Sequence, residues 1–159
     1  MKFVYHGSKE HNLKRLEPRK STHGNYVYAT SDKVLALHFS ARCGDDLVYD
    51  IGHFDNDKFG PWELVENIPG GLEKMYSNSS SIYTLSSETF KNINTGFEEV
   101  VSNTSVDVID EEYYESVYDE IMNLEKKGLI KIYRYPNQPN NFKKNGLNIF
   151  DIGDIIKMN

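Results

Sequence analysis

The apolar runs of this chain are short, and almost every one is cut by glycine, proline or a polar cluster. Phe3-Val4-Tyr5, Tyr26-Val27-Tyr28-Ala29, Leu47-Val48-Tyr49-Asp50-Ile51, Trp62 to Ile68 and Ser81-Ile82-Tyr83-Thr84-Leu85 all read this way. They are rich in the β-branched and aromatic residues that suit a pleated surface. Runs of this kind make strands, and they do not alternate strictly with helical patterns. The expected class is therefore α+β, with many short strands and two or three helices. A chain of 159 residues is long enough to bury a core, and the length fits a single domain over 1–159.

The helices announce themselves differently. Thr30-Ser31-Asp32 offers short oxygen side chains to cap free amides, and Val34, Leu37, His38 and Ala41 follow at helical spacing. This predicts a helix over 32–42, stopped at Gly44. A short helix is expected near Ser87–Lys91. The strongest periodicity lies in Glu111 to Lys127, where Tyr114, Val117, Tyr118, Ile121 and Leu124 form one stripe, with Asp110 as cap and Gly128 as stop. Between these, Glu98 to Asn103 and Val106 to Ile109 read as extended. Ser77 to Ser81 reads as a loop, Leu129 to Tyr135 as a strand, Asn137 to Lys144 as a polar loop, and Ile149 to Met158 as a terminal element of open type.

Charge narrows the function classes. The formal net charge is −6, which disfavours broad binding to nucleic acid or to an anionic membrane. Lys14, Arg15, Arg19 and Lys20 nevertheless form a local basic cluster, either an exposed loop or a phosphate contact. No apolar run of about 18 residues is present to span a membrane, and the N-terminus lacks a signal-peptide pattern. Cys43 is the single cysteine, so no intrachain disulfide is expected. A soluble cytoplasmic protein is the expectation; delivery by a dedicated export system would leave the same pattern.

The familiar phosphate loop, dinucleotide and zinc-protease motifs are missing, and the five histidines have no ligand spacing, so no metal site is expected. Cys43 sits beside Asp45 and Asp46, and neighbouring carboxylates raise a thiol pKa rather than activate it. The bland reading, a small residue at a helix end, is preferred.

Three segments remain. Tyr5-His6-Gly7-Ser8 closes the first strand, Gly24-Asn25-Tyr26-Val27-Tyr28-Ala29-Thr30 runs into a helix, and Glu98-Glu99-Val100-Val101-Ser102 is extended. In that order they resemble the ADP-ribosyltransferase superfamily, in the His-Tyr-Glu branch that includes diphtheria toxin and the poly(ADP-ribose) polymerases. The resemblance implies a split, strongly bent β-sandwich around a cleft that holds NAD. It places His6, Gly7 and Ser8 on the family's His-Gly-Ser/Thr motif. It puts Tyr26 or Tyr28 on the family tyrosine, both on one strand face.

Phe39 (or His38) stands where a second tyrosine is expected, and Ser40 is near the place of a small hydroxyl residue. For the glutamate, Glu99 is preferred, because Val100 and Val101 continue it as a strand; Glu98 points to the opposite face. A carboxylate there can stabilise the oxocarbenium-like sugar formed as the nicotinamide–ribose bond breaks. Aromatic faces suit the cationic ring. The implied activity is transfer of ADP-ribose from NAD to an unknown acceptor, possibly protein, with nucleic acid disfavoured. Two alternatives stand beside it: a non-catalytic ligand- or protein-binding module on the same fold, and an RNA 2′-phosphotransferase-like enzyme gripping phosphate with Arg15, Arg19 or Arg42.

Overall fold

Phe3-Val4-Tyr5 begins a strand that does not end at the histidine. The computed structural model describes residues 2–41, 49–57, 59–94 and 98–142, and there β1 runs Phe3–Ser8, carrying His6, Gly7 and Ser8 inside it. In chain order it is followed by β2 (Arg15–Leu16), β3 (Arg19–Ser21), β4 (Gly24–Ala29) and α1 (Lys33–Ala41). Next come β5 (Tyr49–Gly52), β6 (Trp62–Glu66), α2 (Gly71–Met75) and β7 (Ser80–Ser86). The order closes with β8 (Val100–Ser102), β9 (Val106–Asp107), β10 (Asp110–Tyr114), α3 (Val117–Lys126) and β11 (Ile130–Tyr133). The protein is thus α+β, as expected: several small sheets with three helices among the described residues. None of those helices is long and apolar enough to cross a membrane. Cys43, Gly44, Asp45, Asp46, Arg42, the first two residues of the Leu47–Ile51 run, Lys143, Lys144 and the Ile149–Met158 element lie outside the described residues.

The residues cluster into two compact units, Met1–Ala41 with Asn78–Val117, and Arg42–Ser77 with Tyr118–Asn159. In the first unit β7 is the centre of an antiparallel sheet ordered β1-β7-β10, and a second antiparallel sheet is ordered β3-β4-β8. The two meet at one bridge, Tyr5 to Thr30. Val4, Tyr83 and Leu85 from the first sheet share a core with Val27 and Ala29 from β4 and with Leu16 and Val106 from the small β2-β9 ribbon. On the other face of β1, α1 covers Gly7. A side chain there would place its Cβ only 2.0 Å from the Ala36 carbonyl oxygen and 2.7 Å from Ser40 Cβ, so glycine is required for the helix to pack this closely. Asp32 caps α1 as expected, its Oδ1 accepting the Val34 amide at 2.9 Å.

In the second unit β6 lies between β5, antiparallel, and β11, parallel. Its Glu63 is wholly buried, and its carboxylate accepts the amides of Phe54 at 2.5 Å, Asp55 at 3.0 Å and Asn56 at 3.1 Å. A buried carboxylate is tolerated here because fixed donors replace its water. Val65 and Phe142 pack with Phe54 and Tyr133 beside it.

Four expectations are corrected. The Glu111–Lys127 helix starts only at Val117; Asp110–Tyr114 is the strand β10, paired with β7. Asp110 therefore opens a strand and caps nothing. The alternation of a strand sends Glu111 to Ser81 and Glu112 to Lys33, and these fixed partners outweigh helix propensity. No helix forms at Ser87–Lys91; the Phe90 amide closes a turn onto Ser87 at 3.0 Å, and Lys91 bridges Val101. Ser80 belongs to β7 and is buried rather than lying in a loop, and Ser81 follows its strand reading, not its loop reading. The Trp62 strand ends at Glu66 rather than Ile68, and α2 begins at Gly71.

Candidate functional site

The bridge between β1 and β4 is also where the two strands part. The Tyr5 amide donates to the Thr30 carbonyl at 2.7 Å and the Thr30 amide to the Tyr5 carbonyl at 2.9 Å. In an antiparallel ladder the next exchange of this kind falls two residues along, between Gly7 and Tyr28. Among the described residues that exchange is not made. Instead the Tyr28 carbonyl accepts a hydrogen bond from His6 Nδ1 at 2.6 Å. The backbone N–H and C=O of Gly7, directed to the same strand edge as those of Tyr5, are left facing the gap.

That gap is a cavity of about 80 Å³, lined by Tyr5, His6 and Gly7 of β1, Tyr28 and Ala29 of β4, Thr30, Ala36 and Phe39 of α1, and Glu99. It is well below the ~300 Å³ at which sites for whole drug-sized ligands begin. Its size suits one flat ring. Its lining combines the aromatic residues Tyr5, Tyr28 and Phe39, the strand edge at Gly7 and the acidic residue Glu99.

The tyrosine question is answered by the strand. Val27 and Ala29 turn into the core, so Tyr26 and Tyr28 share the opposite face with rings 6.1 Å apart and edge to face. Tyr28 lines the cavity and Tyr26 does not. Likewise Phe39 faces the cavity, whereas His38 is buried. Ser40 is buried beneath Gly7 and donates to the Leu37 carbonyl at 2.6 Å. Glu99 lies one residue before β8, whose first residue pairs with Ala29, and this register brings it to the rim. Glu98 is exposed and is not part of the lining.

Ser8 and Tyr26 instead border a second, larger space. This groove of about 490 Å³ is lined by His6, Ser8, Leu13, Arg15, Leu16, Glu17, Arg19, Lys20, Ser21 and Tyr26 to Tyr28. It shares His6 and Tyr28 with the smaller cavity. Its guanidiniums are held by exposed carboxylates: Arg15 by Glu17 at 3.5 Å and Asp107 at 3.8 Å, Arg19 by Glu10 at 3.5 Å.

His6 is neutral in this setting. Burial pushes its pKa below the ordinary value; the hydrogen bond to Tyr28 opposes this, the Arg19 charge adds to it and Glu10 offsets part. Because a carbonyl can only accept, Nδ1 carries the proton and Nε2 is left as an acceptor. A neutral imidazole of fixed tautomer can hold a hydroxyl group.

Sequence reading gave Tyr5 and Thr30 places in the motif segments but missed a separate role for either in the cavity lining. It also missed Lys33, whose Nζ lies 5.1 Å from the centre of the Tyr5 ring and pairs with Glu112. That pairing raises the Lys33 pKa and lowers that of Glu112. Among the described residues no three His, Cys, Asp or Glu side chains are grouped as metal ligands. Compared with known proteins, the chain matches no family model, no curated protein and no solved structure.

Proposed function

We propose that the protein is an ADP-ribosyltransferase-like enzyme that binds NAD as its substrate, cleaves the nicotinamide–ribose bond and passes ADP-ribose to an acceptor. The observation that carries this reading is the cavity where β1 and β4 part, because it gathers His6, Gly7, Tyr28, Phe39 and Glu99. His6, Gly7, Tyr28 and Glu99 come from all three segments of the family resemblance, and Phe39 from the helix that follows the second. A nicotinamide ring fits between the aromatic walls of Tyr28 and Phe39, and its carboxamide meets the open backbone edge of Gly7. Neutral His6 offers Nε2 to a ribose hydroxyl.

The chemistry follows from that placement. The C–N bond to ribose breaks, and its electron pair leaves with the nicotinamide nitrogen, which becomes neutral. Positive charge grows on the sugar, where the Glu99 carboxylate stabilises it. The acceptor's lone pair then forms the new bond to the same carbon and its proton is lost to solvent or base. The split between the β1-β7-β10 and β3-β4-β8 sheets is what a split, bent sandwich of this family would need.

Calorimetric titration with NAD tests the binding step. Wild-type protein should bind, and Tyr28→Ala should weaken binding by about tenfold or more, the scale of one lost aromatic stack. Absence of binding by the wild type would remove the reading.

A second reading draws on one observation. Arg15 and Arg19 border a groove that also reaches His6, as an RNA 2′-phosphotransferase-like enzyme would require. Release of the 2′-phosphate from an RNA only when NAD is present would select it.

A further inference from the structure

His11 lines neither the cavity nor the groove, yet both of its ring nitrogens are engaged. Nδ1 lies 2.8 Å from Ser81 Oγ, and Nε2 lies 3.1 Å from Ser79 Oγ. Ser81 in turn donates to Glu111 Oε2 at 2.5 Å. We infer that Ser79 is a nucleophile activated by His11, with Ser81 and Glu111 as positioning residues, and that this second site takes acyl groups from carboxylic esters. The inference goes beyond the NAD reading and shares no residue with it.

The direction of each hydrogen bond follows from the carboxylate. An ionised carboxylate only accepts, and the Ser81 and Asn12 bonds favour the ionised form by holding the Glu111 pKa below its ordinary value. The single hydroxyl proton of Ser81 is therefore directed at Glu111. Its oxygen then accepts from His11, so Nδ1 carries the proton of the neutral imidazole and Nε2 does not. Nε2 must accept, and the group that faces it is the Ser79 hydroxyl. A general base that takes a proton from a nucleophile needs this order. Ser81 is wholly buried and cannot meet a substrate, whereas Ser79 is half-buried and lies just before β7.

The loop that carries His11 is fixed on both sides. The Tyr83 hydroxyl donates to the Glu10 carbonyl at 2.6 Å and accepts the Leu13 amide at 3.3 Å, while Glu111 accepts the Asn12 amide at 3.1 Å. Ser81 and Tyr83 share one face of β7, and their cross-strand partners on β10 are Tyr113 and Glu111. The exposed Tyr113 ring packs edge-on against His11, with centroids 4.6 Å apart. It gives an ester an apolar surface beside the base. The charge built into the network is negative, which favours a neutral ester over an anionic phosphate ester.

The step balances within the site. Ser79 Oγ bonds to the ester carbonyl carbon as its proton passes to His11 Nε2. The bond from that carbon to the alcohol oxygen breaks, and the alcohol leaves with the proton from Nε2. Water then attacks the acyl-serine, with His11 taking and returning a proton in the same way, which releases the carboxylic acid and restores Ser79.

The test treats the full chain with a fluorophosphonate and with p-nitrophenyl acetate. Peptide mass mapping of the wild type should place the phosphonyl adduct on Ser79, and p-nitrophenol should appear in an initial burst. Ser79→Ala should lose both. His11→Ala should slow labelling by about a hundredfold, the scale of one lost general base. Ser77→Ala alters a nearby exposed serine and should react as the wild type does. Ser81→Ala should slow labelling by about tenfold, the scale of one hydrogen bond. Heteronuclear NMR should show the His11 ring losing its single Nδ1–H tautomer in that variant, a change that a merely structural serine would not cause. No adduct on the wild type, an adduct on a residue other than Ser79, equal labelling of His11→Ala and wild type, or an unchanged tautomer in Ser81→Ala would overturn the inference.

Discussion

His6 Nδ1 lies 2.6 Å from the carbonyl oxygen of Tyr28, and this one hydrogen bond spans the place where β1 and β4 stop pairing. The imidazole does what a backbone amide would do in a continuous sheet. The exchange leaves a gap wide enough for a ring and an unused peptide edge at Gly7.

Loss of that bond should be visible in stability. His6→Ala should cost about 0.5–1.5 kcal/mol in urea denaturation at neutral pH. The histidine's folded pKa is lowered, so the fold favours its neutral form. Its contribution is fully present above the unfolded value of about 6.5 and is lost as pH falls through the lower folded value. Wild-type stability should therefore decline below about pH 6.5 more steeply than that of His6→Ala. Parallel pH profiles for the two proteins would count against a half-buried His6 held neutral by the fold.

Gly7→Ala should be more damaging than Gly24→Ala, the other described glycine of the first unit, despite adding a single methyl group. The new Cβ would meet the Ala36 carbonyl at 2.0 Å, and backbone cannot swing aside as a flexible side chain does. Forced overpacking of this kind costs about 1–3 kcal/mol or more. Chemical denaturation of the variant checks it, and an unchanged midpoint would mean that α1 does not press on β1 as described.

Much of this arrangement was legible in the sequence, and for local reasons. Alternation in Tyr26 to Ala29 marked β4, and Asp32 with its helical spacing marked α1. His6, Gly7, Phe39 and Glu99 were all candidates before any fold was known, but the packing role of Gly7 was not visible. Its missing side chain makes room for a helix that no local pattern reveals, while its backbone, not its lack of Cβ, faces the cavity. The choice of Tyr28 over Tyr26 needed the register with β8 and β3. Asp110–Tyr114 was misread because its partners are remote: Glu111 bonds Ser81, 30 positions away, and the Asn12 amide, 99 away. Helical stripes are computed from neighbours, and here the deciding neighbours are not in the window. The basic cluster at Lys14 to Lys20 was visible, but its meeting with Tyr26 required the β3–β4 hairpin.

Glu111 should control the segment that leads from β1 to the groove. It accepts the Ser81 hydroxyl at 2.5 Å and the Asn12 amide at 3.1 Å, and these bonds hold its pKa below the ordinary carboxylate value. Its contribution is thus present above about pH 4.5 and lost as pH falls. In Glu111→Ala the Asn12 amide should exchange with solvent faster, read by hydrogen–deuterium exchange at neutral pH. Unaltered protection there would show that His11, which lies 2.8 Å from Ser81 Oγ and 3.1 Å from Ser79 Oγ, holds the segment alone.

In the second unit the decisive single residue should be Glu63. Removing its carboxylate takes away the shared acceptor of the Phe54, Asp55 and Asn56 amides. Hydrogen bonds to a charged group of this kind are each worth about 1.5–3 kcal/mol. Glu63→Ala is expected to be among the most destabilising substitutions in the chain, measured by thermal or chemical denaturation. A loss under about 1 kcal/mol would contradict the account of that buried carboxylate.

The central claim rests on Glu99 acting on a sugar beside the Gly7 cavity. The most direct measurement is nicotinamide release from NAD by purified wild-type protein and by Glu99→Gln, with NAD affinity determined for both. The account predicts that Glu99→Gln binds NAD within about threefold of the wild type while its release rate falls by about a hundredfold or more, the scale of one lost electrostatic stabiliser. Equal release rates for the two proteins, or no release by the wild type, would contradict it.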